Sequence, residues 1–209
     1  MKKWKQKIVD YYRKRSIWSL VSDGVFVVLL VLLLIPATRR ELVSRVVRLT
    51  MRNPAARVNE NSPRADVSAM NWPLHTADGR EMLFSELEGE VIFLNFWATW
   101  CPPCIAEMPS IQNLYNEYGK QVQFVLVTRE DVATVQDFLD RNEYNLPVYF
   151  QEYREPELFG SSSIPTTFIL SRDGRVVVNK KGAARWDSRP VKKLLDKLAG
   201  EEPESEKGG

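Results

Sequence analysis

The chain has 209 residues, 29 Lys/Arg against 27 Asp/Glu and 44% hydrophobic residues, enough for one domain with a packed core plus appendages. Its net charge of +2 conceals a division: residues 1–57 carry a net +10 and residues 58–209 a net −8. The basic part contains the hydrophobic segment, which points to an anionic membrane surface and away from nucleic acid, and two cysteines with one histidine fall short of the four Cys/His ligands of a structural zinc.

The first element is hydrophobic. Ile17 to Ile35 gives 19 residues, enough to span a bilayer, while its uninterrupted part, Val25 to Ile35, is 11 residues, the length of a signal-peptide core. Asp23 falls near the N-terminal end, where its burial costs less than at the bilayer centre. Seven Lys/Arg precede the segment and four follow within 15 residues, a bias toward a cytoplasmic N-terminus and an exported C-terminal part. No small-x-small cleavage site stands just after Ile35. Residues 17–35 are therefore expected as an uncleaved transmembrane signal anchor, after a basic cytoplasmic segment at 1–16. Between Arg39 and Arg52, apolar residues such as Val43, Val46 and Leu49 alternate with arginines at near-helical spacing. They read equally well as a basic amphipathic helix on a lipid surface and as a solvated stalk. Asn53-Pro54 and the stretch Asn59 to Pro63 are linker signals, so residues 36–70 are expected as a basic stalk and linker.

Residues 71–199 carry the predicted domain. A hairpin is expected over Asn71 to Phe84 with Asp78-Gly79 as its turn, then a short turn at 85–89. Val91 to Trp97 is almost wholly apolar, as in a central strand buried on both faces. A helix from Cys101 to Tyr118 is expected to bury Ile105, Met108, Ile111, Leu114/Tyr115 and Tyr118, to be kinked by Pro109 and to end at Gly119 as a C-cap. A strand at Val122 to Val127, a helix at Val132 to Arg141 and a short strand at Pro147 to Phe150 follow. Ser163 to Leu170 then passes through Arg172-Asp173-Gly174-Arg175 into Val176 to Val178, a hairpin, and a last helix spans Asp187 to Ala199. The Glu-rich tail, 200–209, reads as disordered. This order describes an α/β domain with a mixed central sheet flanked by helices, the thioredoxin arrangement, with an N-terminal β-hairpin extension and the N-terminal transmembrane anchor.

Between the central strand and its helix stands Trp100-Cys101-Pro102-Pro103-Cys104, with the only two cysteines of the chain. Two thiols at this spacing can close a ring, hold a soft metal or form a permanent staple. A strand running into a C-x-x-C that opens a helix favours the reversible ring, because the helix N-terminus stabilises the thiolate that attacks in disulfide exchange. Cys101, at the helix start, is the expected nucleophile, and Cys104, one turn on, the resolving sulfur. A permanent staple over so short a loop constrains the unfolded chain little. Cu(I) held by both thiolates with His75 as a third ligand stays open, although two fixed φ angles at Pro102 and Pro103 make a rigid loop suited to ring closure. The reading is a thiol–disulfide oxidoreductase with no cofactor and no metal beyond the redox-active Cys101–Cys104 disulfide.

Asn95-Phe96-Trp97-Ala98-Thr99-Trp100-Cys101-Pro102-Pro103-Cys104, Glu107-Met108-Pro109, Ile164-Pro165-Thr166-Thr167-Phe168 and Asp173-Gly174 together resemble the membrane-anchored TlpA/ResA-like branch of the thioredoxin superfamily. The resemblance covers roughly residues 70–199. It implies an exported reductase of the kind that keeps apocytochrome c cysteines reduced, itself re-reduced by a thiol-transferring membrane protein. It also implies that Glu107, three residues after Cys104 and so on that cysteine's helix face, is the buried acid that manages the Cys104 proton. Pro165 resembles the superfamily's cis-proline, next to which Ile164 offers backbone groups to a substrate strand. Trp100, Pro102, Pro103, Ile164 and Pro165 are thus the expected substrate-binding residues; Trp97 reads as core and His75 as a hairpin residue. With no histidine between the cysteines to stabilise a thiolate, the balance tilts to a reductant. An oxidant or isomerase is the nearest rival, and a Cu(I) carrier for oxidase assembly the alternative of another class. The expected partners are exported protein disulfides, a membrane reductant protein and the membrane, with no nucleic acid. The expected location is the cytoplasmic membrane, single-pass, with the redox domain on its extracytoplasmic, periplasmic side.

Overall fold

A computed structural model describes residues 17–34, 36–54 and 62–200. The chain divides into two units, Met1–Leu42 and Val43–Gly209. In the first lies helix α1 (Ile17–Leu34), and α2 (Pro36–Thr50) begins there and ends in the second. Among the described residues no helix is long and apolar enough to cross a membrane. At 1.5 Å per residue, the 18 residues of α1 rise about 27 Å, against a hydrocarbon core of about 30 Å, and they include Asp23. Ile35, the basic segment at 1–16, the part of the linker at 55–61 and the tail from 201 lie outside the described residues.

The second unit is built on one seven-stranded sheet. Its strands are β1 (Pro73–His75), β2 (Glu81–Leu83), β3 (Val91–Phe96), β4 (Val122–Thr128), β5 (Val148–Phe150), β6 (Thr166–Leu170) and β7 (Val176–Lys181). They lie in the order β2-β1-β5-β4-β3-β6-β7, with β3–β4 and β4–β5 parallel and the other neighbours antiparallel. The expected hairpin extension is present as β1–β2, turning at Gly79, whose φ of +83° suits a residue without Cβ. Every residue of β3 is buried, as its apolar run requires of a central strand.

Helices α4 (Pro102–Tyr118), α5 (Val132–Arg141) and α6 (Arg189–Gly200) all bury into the core cluster that takes Val91 and Phe93 of β3 and Phe124 and Leu126 of β4. The flanking helices are unevenly shared, since the three long ones lie on one face. The reason is topological. The crossovers β3–α4–β4 and β4–α5–β5 step in the same direction along the sheet, and right-handed crossovers that do so leave their helices on the same side. The other face is covered by short elements: helix α3 (Val67–Met70) and two 3-10 turns at Phe84–Leu87 and Glu157–Phe159. Trp72, Phe84 and Phe159 pack there on Phe96 and Phe168, with ring centroids 5.3 to 6.2 Å apart.

Two local expectations change. The domain starts earlier than residue 71. Pro63 accepts the Val176 N–H at 2.9 Å, the Ala65 N–H reaches Gly174 at 2.9 Å, and Asp66 caps α3, so residues 63–70 belong to the fold and not to the linker. Helix α4 buries Cys104, Ala106, Glu107 and Ser110 besides the apolar stripe, while Ile105 is only half-buried, because the helix is enclosed over a wider arc than its apolar residues mark. Gly119 caps the C-terminus of α4 as expected, with a right-handed φ of −62°. A Cβ there would stand 2.7 Å from the Tyr115 carbonyl oxygen, so close approach, and not handedness, calls for glycine.

Candidate active site

The β3 strand runs out at Phe96 and the chain turns sharply into α4. The Trp97 N–H continues the ladder to the Val127 carbonyl at 3.1 Å, and the Cys101 N–H closes a turn on Ala98 at 3.2 Å. Cys101 is the N-cap of α4, its sulfur accepting the Cys104 N–H at 3.3 Å, and Pro102 and Pro103 occupy the first helical positions, where a missing N–H costs nothing. Cys101 and Cys104 are joined as a disulfide. Cys104 is fully buried, Cys101 nearly so, and Trp100 beside them is 56% exposed. The helix N-terminus therefore addresses the Cys101 sulfur directly.

Glu107 lies one turn below Cys104, buried to 1% exposure. Its carboxylate accepts three hydrogen bonds: from Asn95 Nδ2 at 2.9 Å, from the Ala184 N–H at 3.0 Å and from Trp186 Nε1 at 3.0 Å. Asn95 Nδ2 also donates to Thr167 Oγ1 at 2.8 Å, tying β3 to β6 through the same group. Burial pushes the Glu107 carboxyl up to about 7, and the bonds from Trp186, Ala184 and Asn95, with the charge of Lys180, hold it from rising further. A carboxyl poised near neutrality can hold a proton or release it, as acid–base partner of a thiol on its own helix face requires.

The Ile164–Pro165 peptide is cis. The Pro165 carbonyl accepts the Gly182 N–H at 2.8 Å, while neither backbone group of Ile164 bonds to another described residue. Trp100 and Ile164 both line a groove of about 350 Å³, together with Trp97, Phe96 and Phe159. Of the expected substrate-binding residues the structure brings these two together. Pro102 and Pro103, half-buried in the first turn of α4, lie outside the groove lining, as does Pro165. Trp97 is buried core, and His75 pairs with Glu81 and Phe150 in the hairpin extension. Among the described residues no three His, Cys, Asp or Glu side chains cluster as metal ligands would.

Four residues of the site, Asn95, Trp186, Glu130 and Thr99, carry no role among the sequence expectations. Asn95 is a lone amide in an apolar strand, and a buried polar side chain needs a partner, so the signal was there. Trp186 and the pair Glu130–Thr99 left none. The Thr99 N–H reaches Glu130 Oε2 at 2.6 Å and its hydroxyl reaches Oε1 at 2.7 Å, contacts between segments 31 residues apart.

The sequence model of the AhpC/TSA family matches residues 65–179. The chain belongs to the AhpC/TSA family. Within it, the thiol-disulfide oxidoreductase ResA of Halalkalibacterium halodurans is 38% identical over 117 residues, 54% of this chain and 66% of the relative. ResA of Oceanobacillus iheyensis is 34% identical over 138 residues, 65% of this chain and 70% of its own. The match spans about two thirds of the length of these relatives. Among solved structures, the thiol:disulfide interchange protein DsbE from Chlorobium tepidum superposes with a TM-score of 0.56 at 26% identity, over 67% of this chain and all of that one. DsbF of Mycobacterium tuberculosis superposes with a TM-score of 0.53 at 26% identity, over 62% of this chain and 99% of that one. The ResA-like resemblance and the thioredoxin-like α/β fold are thus borne out, and the site is that of a thiol–disulfide oxidoreductase.

Proposed function

We propose that the chain is a membrane-tethered, extracytoplasmic reductase of exported protein disulfides, with apocytochrome c as a client and a thiol-transferring membrane protein as its electron donor. The observation that carries the reductase direction is the buried Glu107 beneath the disulfide, with no cation hydrogen-bonded to it among the described residues. A carboxylate there works against a thiolate at Cys104. Destabilising the dithiol's ionised form makes the pair a stronger reductant, since strong oxidants owe their potential to a stabilised reduced form.

In the reaction, the Cys101 thiolate attacks one sulfur of the client disulfide, forming a mixed disulfide and releasing a client thiolate. Cys104, its proton passed to Glu107, then attacks Cys101. The second client thiolate leaves, and the Cys101–Cys104 bond holds the oxidising equivalents. Two electrons go from the pair to the client; the two client thiolates are protonated by the Cys104 proton, passed on from Glu107, and by one from solvent, which took up the proton that Cys101 lost on ionising. Trp100 and Ile164 flank the approach, the latter with unpaired backbone groups that suit an added strand.

Tethering rests on α1 and the charge division. Its side chains Trp18, Val25, Phe26 and Val28 are more than half exposed, and an apolar helix so exposed is stable in an apolar medium. The hydrocarbon core of a bilayer is such a medium, and the basic flanks of residues 17–35 suit its two surfaces. An alkaline carbonate wash of membranes carrying the full chain should leave it bound; release into the wash would remove the anchor from the proposal.

The direction is tested by equilibrating the pair with dithiothreitol or glutathione buffers. A potential near about −250 mV or lower supports the reductase; one near about −120 mV makes it an oxidant and ends the apocytochrome reading.

A further inference from the structure

Glu130 follows the C-terminal end of β4, and its carboxylate grips Thr99, two residues ahead of the nucleophile, through both oxygens. Its own N–H is fixed by the hydroxyl of buried Thr128 at 3.3 Å. The loop 97–101 is thus held to β4 at two points, by the Trp97 N–H on Val127 and by Thr99 on Glu130. Both groups that satisfy the carboxylate are neutral donors. Its neighbour Arg129 is ion-paired with Glu155, whereas Glu130 has no ion pair among the described residues. Arg129, Glu130 and Glu155 all line the groove that Trp100 and Ile164 also line. With Arg129 and Glu155 paired to each other, Glu130 is the carboxylate of the groove lining that has no ion pair among the described residues, and it reaches the nucleophile's loop through Thr99.

From this geometry we infer that Glu130 is the positioning residue of the nucleophile loop and that its charge makes the groove favour clients carrying Lys or Arg next to their disulfide. The inference rests on the reductase reading and adds to it a class of substrate. Glu130 touches the chemistry only through Thr99, so its two roles separate by substitution. In Glu130→Gln the amide can accept the Thr99 N–H and donate to the Thr99 hydroxyl, keeping the grip without the charge. Glu130→Ala loses both.

The test uses the full chain in a non-ionic detergent, reduced with dithiothreitol, and two peptides closed by a Cys-x-x-Cys disulfide. One peptide is flanked by lysines and the other by glutamates. The wild-type chain should reduce the lysine peptide with about threefold higher kcat/KM, mainly through KM, and the preference should shrink in 0.5 M NaCl, as a partly exposed charge pair predicts. Glu130→Gln should bring the two peptides together and retain a higher kcat than Glu130→Ala. Glu130→Ala should lower kcat for both, on the order of tenfold, as misplacing a nucleophile does. Equal use of both peptides by the wild-type chain overturns the client preference. A preference that survives Glu130→Gln assigns it to the general −8 charge of residues 58–209 and overturns the role of Glu130's charge. An unchanged kcat in Glu130→Ala overturns the positioning. Reduction of neither peptide by the wild-type chain is a different failure, that of the reductase reading itself.

Discussion

The two faces of the sheet are packed on different principles. One holds the three long helices, the disulfide and a buried hydrogen-bonded acid; the other is an aromatic layer of Trp72, Phe84, Phe96, Phe159 and Phe168 with no buried charged side chain among the described residues. The strand β3 divides them by its alternation. Val91, Phe93 and Asn95 fall on the helical side, and Ile92, Leu94 and Phe96 on the aromatic side. A buried carboxyl is costly, and the helical face can carry one because Trp186, Asn95 and the Ala184 N–H converge on it. The aromatic face contributes only packing. Segregating the two tasks leaves the site free to carry an unfavourable charge while the other face supplies stability.

The largest effect that would sharpen this contrast is chemical. Cys104→Ser should stop turnover and accumulate mixed disulfides through Cys101, visible by mass spectrometry of the trapped adduct; adducts found instead on Cys104 in Cys101→Ser would reverse the two roles. Next comes the aromatic face. Phe84→Ala should cost about 3–5 kcal/mol in denaturant unfolding, as loss of a fully buried ring does, yet leave the reduction potential in place. A shifted potential would show that the two faces are coupled after all.

The helical face should respond to pH. Glu107 is raised from its ordinary 4.5 to about 7, so the folded state holds a proton the unfolded chain has released. Stability from this group is therefore greatest below about pH 4.5, falls as pH rises toward 7 and is flat above, a loss on the order of 3 kcal/mol. Glu107→Gln should remove that slope, checked by comparing urea midpoints at pH 5 and pH 8 in both proteins. A slope that persists means the proton is held elsewhere. The smallest effect is Trp186→Phe, which keeps a ring against Phe93 but deletes a donor to the carboxylate. A cost of about 1–3 kcal/mol is expected, with Glu107 titrating higher than in the parent chain by carboxyl-resolved NMR. An unmoved titration would show that Trp186 packs without tuning.

Much of this was legible before the structure, and the limits are instructive. The helix over Val132–Arg141 matches the expected bounds to the residue, because its apolar positions recur with helical period and Asp131 caps it. The α4 stripe misled at Ile105, since period alone ranks apolar residues inward and cannot foresee that Glu107 and Ser110 are enclosed. Glu107 as a buried acid came from the family resemblance. Its three donors come from segments as far as 79 residues away, a distance no local pattern encodes.

Local chemistry, then, is what the sequence settles alone. An apolar run makes a central strand, a Cys-Pro-Pro-Cys at its exit makes a helix cap with two sulfurs one turn apart, and alternating charge blocks divide a basic end from an acidic domain. The tertiary structure decides everything that depends on convergence. It places Asn95, Ala184 and Trp186 on one carboxylate, Glu130 on Thr99, and Trp100 and Ile164 in the lining of one groove. The physical reason is that hydrogen bonds and burial act over a few ångströms in space and are indifferent to separation along the chain, so they are decided only when the sheet has brought distant segments together.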